Sequence, residues 1–136
     1  MGLGQSCKRL VIIADDEPLM RELVESLLDA AGYHVRQAAD ASELFEAVDE
    51  FAEEIALLVV DVSMPGITGP EAVEQIREHH EEMPVLYLSG HDAGLLGKLY
   101  TEPGLTGAVQ KPFEAADLLG AIDQLLNDTP AGDGTA

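Results

Sequence analysis

Four short stretches carry residues whose types suit one piece of chemistry. IIADDEP, from Ile12 to Pro18, sets three carboxylates in a row, Asp15, Asp16 and Glu17, directly after an apolar run. ALLVVDV carries Asp61 one residue before its end, and Ser63 stands two residues after that aspartate; MPVLYLSG ends on Ser89 and Gly90; VQKPF contains Lys111. Clustered carboxylates repel, and at least one would take up a proton unless a positive partner is supplied. A hard divalent cation answers that need. Oxygen ligation with few protein carboxylates suits Mg²⁺, which keeps several waters and accepts a phosphate oxygen. Lys111 offers a fixed ammonium that can pair with a carboxylate or a phosphoryl group. Ser89 offers a hydroxyl, and Gly90 has no side chain to shield its backbone N–H. With Asp61 as the candidate nucleophile, the set suits phosphoryl transfer through an aspartyl phosphate, with Mg²⁺ and Lys111 balancing charge.

These residues converge only if the intervening chain places them so. Apolar strand-like runs alternate with amphipathic segments throughout. RLVIIA reads as a strand; PLMRELVESLLDAAG reads as a helix, with Leu19, Leu23 and Leu27 at helical spacing, proline near its start and Gly32 as its stop. YHVRQAA alternates like a half-covered strand, and DASELFEAVDEF puts Leu44, Phe45 and Val48 on one helical face behind Asp40 or Ser42 as cap. ALLVVDV is continuously apolar, as expected for a central strand covered on both faces. PEAVEQIREHH then turns Ala72, Val73 and Ile76 inward; MPVLYLSG and LTGAVQKP are the fourth and fifth strands. HDAGLLGKLYTEPG between them is a weak helix, loosened by Gly94 and Gly97, and FEAADLLGAIDQLL closes the domain. Five such units make one doubly wound α/β domain with a parallel sheet. In such sheets ligands bind beyond the carboxyl ends of the strands. Asp15 and Asp16, Asp61, Ser89 and Lys111 all fall there.

The length of 136 residues fits one domain, read as a flexible leader over 1–8, a folded part over 9–127 and a disordered tail over 128–136. A formal charge of −19, with lysine only at Lys8, Lys98 and Lys111, argues against nucleic acid and anionic membranes as partners. It suits either a high-salt setting or an ordinary cytoplasm. Cys7 is the single cysteine, so no internal disulfide forms. No apolar run reaches the roughly 20 residues of a membrane span, and the expected location is cytoplasmic. MGLGQS fits a short lipidation pattern with Cys7 beside it; an ordinary leader is the preferred reading.

DDE after the first strand, D-x-x-M-P-G at Asp61 to Gly66, L-S-G closing the fourth strand and K-P-F at Lys111 to Phe113 together resemble the receiver domain of two-component response regulators. The resemblance covers about residues 9–126, and the wording of PVLYLSG and VQKPF is most similar to receivers joined to hybrid histidine kinases. It implies a flavodoxin-like (βα)5 fold with strand order 2-1-3-4-5. It implies that Asp61 is the phosphoacceptor, and that Asp16, Asp61 and the Ser63 carbonyl hold Mg²⁺, with Asp15 acting through a bound water. Ser89, Lys111 and the N–H groups of Val62 and Gly90 would contact phosphoryl oxygens, and the Lys111–Pro112 bond would be cis. The implied donor is a histidine kinase or histidine phosphotransfer domain. Output would run through protein contacts on the face from His91 to Leu126, in a monomer or weak dimer that catalyses only its own phosphorylation and dephosphorylation. One position departs from the pattern: where receivers usually carry an aromatic three residues before the lysine, this chain has Ala108.

Other readings stand beside this one. Asp15 and Asp16 could merely cap the first helix; Asp61 and Lys111 could form a structural ion pair; Ser89 could bond its own turn. A Mg²⁺-dependent phosphatase of haloacid dehalogenase type also uses an Asp at a strand end, but usually has a second Asp where this chain has Ser63. A third reading is a docking domain that is never phosphorylated. Among the histidines, His79 and His80 sit at a helix end, His34 in an edge-like strand, and His91 at the pocket rim as a helix cap or a neighbour of the chemistry.

Overall fold

A computed structural model describes residues 9–90 and 106–127. The leader, the tail, His91 and the weak helix expected after it lie outside the described residues. Strands β1 (Leu10–Ala14), β2 (His34–Ala38), β3 (Ile55–Asp61), β4 (Val85–Ser89) and β5 (Thr106–Gln110) alternate with helices α1 (Pro18–Ala30), α2 (Ala41–Phe51), α3 (Gly69–Arg77) and α4 (Ala115–Asn127). The sheet is parallel throughout, in the order β2-β1-β3-β4-β5. That is the α/β doubly wound arrangement expected from the alternation, with the flavodoxin-like strand order that the resemblance implies.

Side chains alternate across a strand, so the three inner strands feed two separate cores. Val11, Ile13, Leu57, Val59, Leu86 and Leu88 pack with α1 and α4 residues such as Leu28 and Leu118 on one face. Ile12, Ala14, Leu58, Val60, Val85 and Tyr87 pack with Leu44, Val48, Val73 and Ile76 of α2 and α3 on the other. β1, the inner part of β3 and β4 are buried on both faces, which accounts for their unbroken apolar runs.

Local rules set the helix ends. Asp40 caps α2 by accepting from the Glu43 N–H at 2.9 Å. Thr68 and Glu71 form a reciprocal capping box on α3, from a T-x-x-E signature that marks a helix start. Gly32 ends α1 at φ +98°, a left-handed conformation that glycine adopts freely.

α1 corrects one expectation. Leu19 and Leu23 of the leucine stripe do not face the core: Leu19 is 79% exposed and Leu23 45%, while Val24 and Leu28 are buried. The stripe meets the core face only at Leu27, since that face runs through Met20, Val24, Leu27 and Leu28. Leucine spacing alone has two solutions, and packing on the sheet selects the other.

Candidate functional site at the carboxyl edge of the sheet

β1 and β3 are paired in a register that sets Ile13 beside Val59 and Ala14 beside Val60. Continuing one residue brings Asp15 beside Asp61, both on the α1/α4 side by strand alternation. Lys111 follows β5, whose neighbour β4 ends on Ser89 opposite Gln110. The Lys111 N–H donates to the Ser89 carbonyl at 2.7 Å, which fixes where the lysine leaves the sheet. Its ammonium then reaches Asp15 Oδ2 at 3.3 Å and Asp61 Oδ1 at 3.7 Å. Single carboxylate oxygens of Asp15, Asp16 and Asp61 lie within 4.8 Å of one another.

Asp15 is fully buried. Its Oδ1 accepts the Glu17 N–H at 2.9 Å, its own N–H donates to the Ala38 carbonyl at 3.1 Å, and its carbonyl accepts Arg21 Nη1 at 2.7 Å. Neither aspartate is the N-cap of α1: that position is Glu17, whose own side chain makes no capping bond. Asp16 is exposed and lies on the open side of the trio.

Asp61 is 6% exposed. Its Oδ1 accepts the Ser63 N–H at 3.2 Å. Burial, and secondarily the neighbouring Asp15 charge, push its pKa up to about 6; Lys111 and the Ser63 N–H pull it down without cancelling that rise. A cation placed among the three carboxylates would remove the cause of the shift. The donor set is therefore right for a small oxygen-seeking ion: three carboxylates, one of them open to solvent, and no nitrogen or sulfur ligand among them. The pocket meets the demand that Mg²⁺ would make of it.

The backbone around Asp61 corrects a second expectation. The Val62 N–H is not turned to the pocket: it donates to the Leu88 carbonyl at 2.9 Å, extending the β3–β4 ladder by one residue. The donor directed at the Asp61 carboxylate is the next one, Ser63 N–H. Counting positions from Asp61 cannot separate the two, because the ladder's reach past the strand end is set by β4. The Val62 carbonyl in turn accepts the Gly69 N–H at 2.9 Å, seating α3 on the loop. A Cβ built on Gly69 would stand 2.3 Å from the Asp61 carbonyl oxygen, so this position admits glycine alone without displacement. Gly66 turns the loop at φ +86°.

Ser89 is buried at the end of β4, and Gly90 is exposed beside it with open space where a side chain would be. The Lys111–Pro112 peptide is cis, as expected. Ala108 is half-buried on β5 and lies in register with buried Tyr87 of β4, in the same core cluster. Sequence reasoning missed Arg21, which belongs to no motif in the chain yet bonds the carbonyl of Asp15.

Comparison with known proteins agrees with this geometry. The family model of the response regulator receiver domain matches residues 11–123. A response regulator receiver protein, CpdR of Brucella abortus, is 29% identical over 119 residues, spanning 88% of this chain and 97% of CpdR. The sensor kinase CckA of the same species is 27% identical over 116 residues, 85% of this chain but 12% of CckA. The crystal structure of a receiver domain protein from Clostridium thermocellum superposes with a TM-score of 0.80 at 26% identity, covering 88% of this chain and 94% of that one. The chain belongs to the response regulator receiver domain family. It is a signalling domain of two-component systems, and the phosphatase and docking-only alternatives give way to that assignment. The chain matches nearly the whole of one relative and a small part of another, so membership does not fix what it is attached to. Among the described residues, no helix is long and apolar enough to cross a membrane.

Proposed function

We propose that the chain is switched by phosphorylation of Asp61, in a Mg²⁺-dependent transfer from a phosphohistidine of a histidine kinase or histidine phosphotransfer domain. The observation that carries the reading is the unequal treatment of two adjacent buried carboxylates. Asp15 accepts a backbone N–H on one oxygen and the Lys111 ammonium on the other, whereas Asp61 keeps a carboxylate oxygen with no partner among the described residues. That oxygen attacks phosphorus, an O–P bond forms, and the P–N bond to the imidazole breaks as the imidazole leaves with its electron pair. Asp16, Asp61 and the Ser63 carbonyl would hold Mg²⁺, with Asp15 bonding a bound water, and the ion would supply countercharge for the transfer. Lys111 turns its ammonium from the carboxylates toward the new phosphoryl oxygens. Ser89 and the N–H groups of Ser63 and Gly90 bond them at the pocket wall.

As proposed, the module catalyses only its own phosphorylation and dephosphorylation. It acts in the cytoplasm as a monomer or weak dimer, with output through a partner protein on the face that ends in α4. The proposed direct test uses acetyl phosphate with and without Mg²⁺, followed by intact-mass analysis. One phosphate per chain is expected with Mg²⁺, and none with EDTA or in Asp61→Asn. Labelling that survives Asp61→Asn would sink the assignment.

A further inference from the structure

We infer that Arg21 is a positioning residue for the Mg²⁺ pocket: its guanidinium holds the turn that carries Asp15 and Asp16. The inference rests on the reading of that pocket as a Mg²⁺ site. Arg21 sits one turn into α1 and is half-buried. Its backbone N–H makes the first helical bond, to the Glu17 carbonyl at 3.1 Å. Its side chain folds back over the turn, where Nη1 donates to the Asp15 carbonyl at 2.7 Å and Nε donates to Gln37 Oε1 on β2 at 2.9 Å. Gln37 Nε2 in turn donates to Glu25 Oε1, one turn further along α1. The planar guanidinium thus bridges three pieces of the chain, namely the end of β1, the start of α1 and the neighbouring strand β2. A fork of donors in fixed geometry can do this, and a lysine ammonium cannot.

Asp15 and Asp16 need such a clamp. They stand where β1 leaves the sheet and face a third carboxylate, so their mutual repulsion works to open the turn. Arg21 is bonded to the carbonyl of Asp15, and the Asp15 carboxylate is bonded to Glu17 and Lys111. The guanidinium therefore restrains the turn without occupying the carboxylate oxygens that face the cation. Two roles for this guanidinium predict opposite results. Acting through its charge, Arg21 would repel an incoming Mg²⁺, and its removal would tighten binding. Acting as a clamp, it preorganises the ligands, and its removal weakens binding, as loss of groups that orient metal ligands generally does.

The experiment is Mg²⁺ titration by calorimetry on wild type, Arg21→Ala, Arg21→Lys and Gln37→Ala, at a temperature where circular dichroism shows each variant folded. Arg21→Ala is expected to weaken Mg²⁺ binding on the order of tenfold. Arg21→Lys should fall closer to Arg21→Ala than to wild type despite keeping the charge. Gln37→Ala, which removes the far anchor and touches no carboxylate of the site, should weaken binding by a smaller factor. Unchanged or tighter binding in Arg21→Ala, with wild type binding normally, overturns the inference. If Arg21→Ala does not fold, wild-type affinity in both Arg21→Lys and Gln37→Ala overturns it equally. Wild type that does not bind Mg²⁺ overturns the pocket reading itself, so the two failures are told apart.

Discussion

Asp15 and Asp61 end neighbouring strands, are both buried, and share one lysine, yet the fold treats them as opposites. Asp15 is bonded through its amide, its carbonyl and both carboxylate oxygens. Asp61 has one N–H at 3.2 Å, a more distant ammonium at 3.7 Å, and a pKa raised to about 6. The first is an anchor whose charge the fold has already matched. The second is held in a state that a cation or a new covalent bond would relieve. In this receiver the carboxylate proposed to react stands out by what it lacks.

Stability measurements can break that contrast. Asp15→Ala should destabilise the metal-free protein by about 2–3 kcal/mol, because it leaves the Glu17 N–H and part of the Lys111 charge unmatched. Asp61→Asn should do the reverse at pH 7. A carboxyl held at about 6 instead of 3.8 costs on the order of 3 kcal/mol if fully expressed, and relaxation reduces it, so a gain of about 1–2 kcal/mol is expected in urea melts. Equal losses in the two variants would end the distinction between anchor and reactive group.

pH sharpens it. A carboxyl whose folded pKa lies above its ordinary value contributes stability that is complete below 3.8 and lost as pH rises through about 6. Metal-free wild type should therefore lose about 1–2 kcal/mol relative to Asp61→Asn between pH 4.5 and 7. The difference between the two proteins, rather than either curve, is the observable, since a chain of net charge −19 has other acidic transitions. Saturating Mg²⁺ should flatten that difference. Parallel curves without metal would mean that Asp61 is not held in a raised state.

The smallest effect is expected at Ser63. Its carbonyl and its N–H are the groups assigned to the pocket, so Ser63→Ala should leave acetyl phosphate labelling and Mg²⁺ affinity within about twofold of wild type. A larger loss would bring the hydroxyl into the site.

Much of the fold is legible in the sequence because parallel sheets obey a strict rule: continuous apolar runs are inner strands, and the residues just past their carboxyl ends gather at one edge. The strand order, the meeting of Asp15, Asp16, Asp61 and Lys111, and the inward face of α3 all come from periodicity, motif order or family likeness. Three features do not. Leu19 and Leu23 have the right spacing for a core face, but α1 docks through Met20, Val24 and Leu28, and only the sheet beneath decides between two nearby helix phases. Val62 and Ser63 are indistinguishable as pocket donors by position count, which cannot tell where a ladder stops. Arg21 is an ordinary helix residue until β2 sets Gln37 opposite it.

Among the described residues the strand order also leaves β2 with one side unpaired, and an open strand edge is a template on which another chain can add. His34, Arg36 and Gln37 are exposed along it. Arg36 lies over the Phe51 ring at 4.8 Å, and Gln37 is tied back to Arg21 and Glu25. A second molecule pairing antiparallel about the middle of β2 would set arginine against arginine, and like charges directly opposite each other weaken a strand pair. The outer strand that bonds Arg21 through Gln37 thus also sets a like charge against growth of the sheet into its neighbours at high concentration.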